Sequence, residues 1–214
     1  MFNFHKYTEI KEFIEKNGKK TKIIAISKNH PKTAVSQALS HGIRVFGENR
    51  VQEAIDKFQD LKKNYSDIQI HLTGTLQTNK VKLALDWFDV FHTVDREKLV
   101  KEFLRYPDKL NGKDFFIQIN TGLEGTKSGI DPDEAYDFIN YCISEAKINV
   151  VGLMCIPPKD DDPLIHFGIL EKIATKNNLK ELSIGMSNDY KQAIMQNAKY
   201  IRLGTILFGE RKYD

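Results

Sequence analysis

The feature that most constrains the fold of this chain is a regular alternation of short apolar runs with helical patterns. Eight runs rich in Ile, Val, Leu and Phe recur along the 214 residues, and each is followed by a helical segment. The predicted strands cover residues 23–28, 43–48, 68–74, 90–94, 115–120, 150–156, 182–186 and 200–204. Strict alternation of strand and helix predicts a parallel sheet with helices outside it. Eight such units predict a single α/β domain, a closed (β/α)8 barrel of the TIM type.

Two further patterns refine this architecture. A helical pattern over residues 7–17, ended by Gly18, precedes the first strand and predicts an extra N-terminal helix. The chain is close to the lower limit of roughly 200 residues for such barrels, so we expect one domain over residues 1–214 without a linker. Among the outer helices, the apolar spacing predicts one continuous helix over residues 51–63.

Composition and charge narrow the class of protein. The net charge is only +3 and basic residues are interspersed with acids, which argues against a nucleic-acid surface. No run approaches the roughly 18 apolar residues of a membrane span, and residues 1–6 show no secretory signal pattern. The two cysteines, Cys142 and Cys155, are too few for a disulfide framework or a zinc site. We therefore expect a monomer in the reducing cytoplasm, without nucleic-acid or membrane partners.

Several common catalytic motifs are absent from the sequence. No H-E-x-x-H, G-x-S-x-G or phosphate-loop pattern occurs. The six histidines are not spaced as metal ligands, so we expect no metal site.

Lys28 stands at the end of the first predicted strand, just before Asn29, His30 and Pro31. In a barrel of parallel strands, reactive groups lie where the strands end, so a lysine there can point its amine into the shared mouth. Such an amine can hold an aldehyde cofactor, pyridoxal 5'-phosphate, as a Schiff base. The alternative is a solvated lysine in a lysine-rich chain.

Two turns near the C-terminus have the composition of a phosphate site. Ser187 lies between the seventh predicted strand and a helix start, where free N–H groups and the helix dipole favour an anion. Gly204 and Thr205 follow the eighth strand, and the loops after strands seven and eight are the usual phosphate site of this barrel. The alternatives are a plain helix cap at Ser187 and a tight turn at Gly204 and Thr205.

Three more residues are candidates for contact with a cofactor. Arg202 lies two residues before Gly204, and on the barrel interior its guanidinium would need an acceptor, either a pyridine nitrogen or a carboxylate such as Glu48. Asn49 follows the second strand, where it could bind a cofactor oxygen or cap the next helix. Met154, in the sixth strand, could pack in the core or contact a flat cofactor.

Other polar residues near the predicted mouth have simpler interpretations. We interpret His71 on the third strand as a satisfied core histidine. Gln77, Asn79 and Lys80 could line the mouth or form a polar loop and cap, and the loop over residues 122–129 could cover the mouth or stay solvated.

The motifs taken together form a pattern that none of them forms alone. They are residues 25–28, 46–49, 71–74 with 76–80, 92–95, 127–129, 152–154, 185–187 and 202–205 with 208–211. With these motifs in order from about Ile23 to Arg211, the chain resembles the pyridoxal phosphate homeostasis protein family. The resemblance implies a single barrel like the N-terminal domain of alanine racemase that binds pyridoxal phosphate.

The resemblance also implies roles for individual residues. It implies that Lys28 is the Schiff-base lysine and that Ser187, Gly204 and Thr205 bind the phosphate. Arg202 would face the pyridine nitrogen, and Asn49 would line the pocket. Thr75 departs from the family pattern, which has histidine after this glycine, and puts one contact at the mouth in question.

The implied function is cofactor homeostasis in the cytoplasm, with pyridoxal-phosphate-dependent enzymes as recipients and no catalytic residues. The main alternative is an amino-acid racemase, which needs acid–base groups on both faces of the cofactor. In racemases a second domain supplies a tyrosine for one face, and this chain ends at Asp214, directly after the barrel. Arg202 facing the pyridine would leave the ring a poor electron sink. A third hypothesis, a sugar-phosphate enzyme, would use Ser187 and Thr205 but not Lys28.

Overall fold

The computed structural model describes residues 2–125 and 128–210. Within these ranges, eight parallel strands follow one another in sequence order around a closed barrel, and the eighth pairs with the first. The strands are β1 (Lys22–Ile26), β2 (Val45–Glu48), β3 (Gln69–Leu72), β4 (Val90–Val94), β5 (Asp114–Gln118), β6 (Val150–Met154), β7 (Glu181–Ser183) and β8 (Tyr200–Leu203). The predicted (β/α)8 barrel is confirmed.

Helices follow the strands and form the outer layer. They are α1 (Phe4–Lys16), α2 (Lys32–Ser40), α3 (Val51–Phe58), α4 (Leu61–Asn64), α5 (Val81–Trp87), α6 (Glu97–Phe103), α7 (Ala135–Asn140), α8 (Pro163–Lys176), α9 (Tyr190–Met195) and α10 (Thr205–Phe208). Short 3-10 turns lie at Thr78–Lys80 and Pro107–Lys109, and a π-helical turn, Tyr141–Glu145, extends α7.

The predicted N-terminal helix, α1, completes this outer layer. The helix after β8, α10, has only four residues and covers little of the barrel. Toward α2, the backbone N–H of Phe2, just before α1, donates to Gln37 at 3.2 Å, and the Phe4 ring of α1 stacks on His41 at the end of α2. On the other side, the Lys191 ammonium of α9 lies 5.7 Å from the centroid of the Phe13 ring. Helix α1 therefore lies between α2 and α9, where a full eighth helix would otherwise pack.

Strand residues alternate between two apolar layers. Ile23 and Ala25 of β1 belong to the large cluster between strands and helices, whereas Ile24 and Ile26 belong to a smaller cluster. That smaller cluster fills the barrel and includes Val90, Phe116, Met154 and Tyr200. Because side chains alternate along a strand, even-numbered residues of β1 and β8 face the interior.

The first strand ends earlier than the sequence predicts. The prediction continues β1 to Lys28, but the strand stops at Ile26. Asn29 has a left-handed φ of 60°, and the backbone N–H of His30 donates to Ser27 O at 3.1 Å, which closes a turn. Lys28 therefore lies in the turn after β1, where it is partly exposed.

The predicted continuous helix over residues 51–63 is wrong. Helix α3 ends at Phe58 and α4 begins at Leu61. The backbone N–H of Lys63 donates to Asp60 O, an i to i+3 bond that interrupts the regular ladder. The Asp60 carboxylate is also held by Lys32 of α2 at 2.7 Å. The break lets Leu61 turn into the core, where it is buried.

Two properties of the described residues concern the membrane spans and metal sites considered in the sequence analysis. In residues 2–125 and 128–210, no helix combines the length and apolarity required to cross a bilayer. The same ranges contain no group of three or more His, Cys, Asp or Glu side chains arranged to hold a metal ion.

Cys142 and Cys155 are buried free thiols, and burial raises the pKa of each to about 12, so both are unreactive at neutral pH.

Candidate functional site

A buried group of charged residues holds the turn that carries Lys28. We call Glu48, Glu53 and Lys57 the Lys57 cluster. The Lys57 ammonium donates to Glu48 at 2.8 Å, to Glu53 at 2.7 Å and to the backbone carbonyl of Ser27 at 2.5 Å. Glu53 accepts the backbone N–H of Asn29 at 2.5 Å, and Glu48 accepts the Ser27 hydroxyl at 2.6 Å. The cluster thus contacts the residues on both sides of Lys28.

The burial of the Lys57 cluster makes its charges strongly interdependent. The side chains of Lys57 and Glu48 are 8% and 0% exposed. Desolvation raises the pKa of the Glu48 carboxyl, and the Lys57 ammonium opposes that rise. Among the described residues, Glu48 Oε2 has no hydrogen-bond partner. The ammonium is therefore what makes a carboxylate tolerable at this depth.

The closure of the barrel brings the turn after β8 next to the turn after β1. Ala25 pairs with Leu203 in the ladder between these strands. A Cβ atom added at Gly204 would lie 3.5 Å from Cβ of Ile26, which is ordinary van der Waals contact. Gly204 and Thr205 therefore adjoin the segment that leads to Lys28, and protein packing alone does not require a glycine at this position.

The turns after β7 and β8 expose neutral donors. Gly185 has a φ of +90°, and the carboxylate of Asp189 accepts the backbone N–H of Met186 at 2.5 Å. Ser187 is partly exposed and does not cap α9, whose N-cap residue is Asp189. Thr205 is exposed and begins α10, and the first N–H groups of a helical turn have no acceptor within it. Both turns thus present hydroxyl and backbone N–H groups at the mouth.

Arg202 faces the barrel interior, as its spacing predicts. Nη1 donates to the carbonyl and hydroxyl oxygens of Ser183 at 2.7 and 2.9 Å, and Nη2 donates to Cys155 O at 2.9 Å. Burial lowers the pKa of this guanidinium. The alternative salt bridge with Glu48 is wrong, because Glu48 pairs with Lys57 instead. The described contacts use three of the five guanidinium N–H donors, which leaves two N–H groups for a further acceptor.

A chain of buried polar groups continues from Arg202 into the barrel. The Ser183 hydroxyl lies 2.8 Å from His92 Nδ1, and His92 Nε2 lies 2.9 Å from His71 Nδ1. Desolvation lowers the pKa of His71 to about 3 and that of His92 well below its usual value. Both rings are therefore neutral at physiological pH. His71 is a core histidine as predicted, although its Nε2 has no partner in the part of the chain that the structure describes.

A cavity of about 240 Å³ opens at the mouth beside β2 to β6. Its described lining mixes polar and apolar residues without a charged side chain, and consists of Asn49, Thr73, Gly74, Thr75, Thr93, Gln118, Ile119, Asn120, Ser128 and Ile156. Asn49 is the predicted site residue that lines it. Its Oδ1 accepts the Thr73 hydroxyl at 3.0 Å, and it does not cap α3, whose N-cap residue is Arg50.

The remaining sequence candidates lie in several environments. Met154 is fully buried in the interior cluster, where it packs with apolar neighbours. Thr75 is exposed, and its hydroxyl lies 3.0 Å from that of Ser128. Lys127 and Arg211, which belong to motifs of the sequence pattern, lie outside the described residues.

Sequence reasoning missed the Lys57 cluster and the residues that hold Arg202. Lys57 lies between Ala54 and Phe58 on the buried face of α3, and a lysine at such a position was the available signal. No comparable signal marks Cys155 and Ser183, because each offers Arg202 a backbone carbonyl.

Comparison with known proteins identifies the family of this chain. The family model described as alanine racemase, N-terminal domain, matches residues 4–212. A pyridoxal phosphate homeostasis protein of Aquifex aeolicus is 36% identical over 202 residues, which are 90% of this chain and 88% of the relative. The protein of that name from Escherichia coli K12 is 33% identical over 204 residues, 90% of this chain and 86% of the relative. The chain belongs to the pyridoxal phosphate homeostasis protein family.

Solved structures agree with this membership of the pyridoxal phosphate homeostasis protein family. PipY of Synechococcus elongatus, solved without PLP, superposes with a TM-score of 0.82 at 34% identity, and covers 89% of this chain and 93% of its own. PipY with PLP bound gives a TM-score of 0.78 at 33% identity with the same coverage. An alanine racemase of Clostridium difficile has a TM-score of 0.74 at 14% identity, over 98% of this chain and 56% of its own. That last likeness is one of fold.

Proposed function

We propose that this protein binds pyridoxal 5'-phosphate as a Schiff base on Lys28 and serves in intracellular cofactor homeostasis. The proposal takes residues 1–214 as one cofactor-binding domain. Membership of the pyridoxal phosphate homeostasis protein family supports it, and so does the structure of a relative, PipY, with PLP bound.

The observation that carries the proposal is the adjacency of β1 and β8. The register that pairs Ala25 with Leu203 brings the turn containing Lys28 beside Gly204 and Thr205. The residue that carries the amine and a set of anion donors are therefore neighbours at one side of the mouth. A sugar-phosphate enzyme would need the donors but not the lysine, so this juxtaposition favours a phosphorylated aldehyde.

The residues at the mouth fit the parts of this cofactor. When bound, its aldehyde supplies an electrophile to the Lys28 amine. Ser187, Gly204 and Thr205 would bind the phosphate through hydroxyl and backbone N–H groups. Arg202 would donate to the ring nitrogen with its remaining N–H capacity, and Asn49 would bind a ring substituent from the cavity. Contact of Met154 with the ring belongs to the same proposal.

We propose a binding role without a full catalytic apparatus. General acid–base catalysis needs a titratable group within reach of the proton that moves. The ten described residues that line the cavity are amides, hydroxyl residues, a glycine and isoleucines. These ten residues offer no second acid–base group beside Lys28, which supports a binding role over a racemase, since a racemase needs acid–base groups on both faces of the cofactor. We also propose that the protein is a cytoplasmic monomer that passes the cofactor to pyridoxal-phosphate-dependent enzymes. Transfer of the cofactor from this protein to a cofactor-free enzyme of that class would test this role.

Reduction with borohydride, followed by peptide mapping, tests the binding proposal. We expect a phosphopyridoxyl adduct on Lys28 in the wild-type protein and its loss in Lys28→Ala. Lys32→Ala is a matched control, because Lys32 is an exposed lysine that pairs with Asp60 on the outer surface. An adduct elsewhere in the wild-type protein would contradict the assignment. Deuterium exchange at the α-carbon of alanine at enzymatic rates would instead support a racemase.

A further inference from the structure

We propose that the Lys57 cluster fixes the orientation of Lys28, so that Glu48, Glu53 and Lys57 are positioning residues for Schiff-base formation. This inference rests on the proposed function, since it assigns a role toward the same amine. The three residues contact the backbone around Lys28, and no contact of theirs with a ligand is needed for the argument.

The geometry reaches both peptide groups that flank Lys28. The carbonyl of Ser27 belongs to the peptide bond before Lys28, and it accepts the Lys57 ammonium at 2.5 Å. The N–H of Asn29 belongs to the peptide bond after Lys28, and it donates to Glu53 at 2.5 Å. The φ and ψ angles of Lys28 are the rotations between these two planes. Holding both planes therefore holds the direction in which the Lys28 side chain leaves the backbone.

The cluster itself is a connected unit with a rigid base. Lys57 and Glu53 are four residues apart on α3, and Glu48 ends β2. One ammonium joins both carboxylates to the turn, and Glu48 adds a bond from the Ser27 hydroxyl. The helix and the strand thus act together on a turn that otherwise has the bond from the His30 N–H to Ser27 O across Asn29, whose φ is +60°.

Stability alone does not explain such a cluster. A buried ion pair is often no more stabilising than apolar residues of similar volume, because its charges must be desolvated. The face of α3 around Lys57 is otherwise apolar, with Ala54 and Phe58 buried beside it. An apolar residue at position 57 would pack there but could not bind the Ser27 carbonyl. A positioning role accounts for the charged side chain.

The chemistry at Lys28 depends on orientation. The amine nitrogen forms a bond to the aldehyde carbon, the carbonyl oxygen leaves as water, and the two protons of that water come from the amine nitrogen. The attack requires the nitrogen within bonding approach of the carbon while the phosphate is already held. A turn that swings would bind the phosphate equally well but present the amine less often.

Substitutions at Glu53 give the cleanest test, because this side chain is partly exposed and its loss leaves the buried pair intact. Glu53→Ala removes the acceptor of the Asn29 N–H, whereas Glu53→Gln keeps an oxygen there. Asp56→Ala is the matched control, because it removes a carboxylate from the solvent-facing side of the same helix. Lys57→Met tests the other peptide group.

Two readouts are measured on the full-length protein. Amide hydrogen exchange at Asn29, in protein without cofactor, reports the turn itself. The rate of borohydride-trapped adduct formation on Lys28 reports the amine, with total bound pyridoxal phosphate measured in parallel by equilibrium dialysis. For Glu53→Ala we expect amide exchange at Asn29 to be about tenfold faster and adduct formation on Lys28 about tenfold slower, the scale of a lost charge-assisted hydrogen bond. Total binding of pyridoxal phosphate should change only a few-fold. Glu53→Gln should recover most of the rate, and Asp56→Ala should match the wild-type protein.

The outcomes separate the two proposals. Trapping at the wild-type rate in both Glu53→Ala and Lys57→Met would overturn the positioning role and leave the proposed function intact. Absence of an adduct on Lys28 in the wild-type protein would overturn the proposed function, and the positioning role would fall with it. If Lys57→Met fails to fold, the comparison of Glu53→Ala with Glu53→Gln decides the question.

Discussion

The turn after β1 and the turns after β7 and β8 lie side by side at the mouth of the barrel, but they are held in different ways. Charged side chains of the Lys57 cluster hold the first turn by its backbone. The turn after β7 depends on Gly185, at a φ of +90°, and on one carboxylate, that of Asp189, which accepts the backbone N–H of Met186. Ser187 and Thr205 add neutral hydroxyls to the turns after β7 and β8.

The difference follows from what each turn must do. A reacting amine needs a fixed direction, and buried ion pairs can supply it because their charges are already compensated within the protein. An anion site needs donors that are not neutralised in advance, and backbone N–H groups and hydroxyls meet that need without adding a counter-charge. The barrel brings the two together because its last strand pairs with its first.

A negative charge introduced into the turn after β8 should have the largest effect. We expect Thr205→Glu to weaken binding of pyridoxal phosphate about 100-fold, or ~2.7 kcal/mol, because like charges would then meet at the phosphate position. Pyridoxal, which lacks the phosphate, should bind this variant within a few-fold of its affinity for the wild-type protein. Equilibrium dialysis with both compounds measures this contrast.

The matching control for that experiment is Thr205→Ser, which keeps the hydroxyl. Equal losses for pyridoxal and pyridoxal phosphate in Thr205→Glu would show that the phosphate lies elsewhere.

A second test addresses the claim that glycine geometry holds the turn after β7. In Gly185→Ala, the new Cβ would lie 2.4 Å from Cβ of Ala193, and the φ of +90° disfavours any L side chain. We expect the free energy of unfolding to fall by about 2–3 kcal/mol, as overpacking and backbone strain commonly cause. Urea denaturation measures it.

Gly168→Ala is the control for this substitution. Gly168 lies within α8, and an added Cβ would meet no atom within 4 Å. Alanine favours helix over glycine, so this variant should be stabilised by about 0.5–1 kcal/mol. A Gly185→Ala protein as stable as the wild type would contradict the structural role of the turn.

A third test asks whether the barrel interior keeps His71 neutral. Burial lowers the pKa of His71 to about 3, so the folded protein keeps this ring neutral while the unfolded chain protonates near its ordinary value of about 6.5. The unfolded state then binds more protons, and stability is lost as pH falls through this window. The contribution is about 1.4 kcal/mol per pH unit.

His71→Gln removes this titration while keeping a polar side chain. Between about pH 6 and about pH 4, His71 titrates only in the unfolded wild-type chain. In this range, the unfolding free energy of the His71→Gln variant should vary less steeply with pH than that of the wild-type protein. The raised pKa of Glu48 acts in the opposite direction and is common to both proteins. Parallel pH dependences would show that His71 is not kept neutral.

The sequence predicted the barrel because its signal is repeated. Eight apolar runs with helices between them leave few other arrangements, and the order of strands follows from right-handed crossovers between neighbours. The ends of elements were less predictable. The extended run to Lys28 contains no breaker, and the turn there depends on the left-handed conformation of Asn29. Similarly, no glycine or proline marks the break between α3 and α4, where the Lys63 N–H donates to Asp60 O.

The candidate site also has one part that local sequence predicts and another part that it does not. The spacing of Arg202 and Gly204 predicted that the guanidinium enters the barrel, because strand alternation is local. Its acceptors on Ser183 and Cys155 lie at the ends of two other strands, β7 and β6, and the register between these strands brings them near. The Lys57 cluster was missed for the same reason, since it depends on the register of β1 against β2 and on the rotation of α3.

The most direct test of the account is a crystal structure of the protein with pyridoxal phosphate. The account predicts continuous electron density from Lys28 Nζ to the ring, and phosphate oxygens within hydrogen-bond distance of Ser187, Gly204 and Thr205. A ring that is not joined to Lys28, or a phosphate bound away from the turns after β7 and β8, would contradict it.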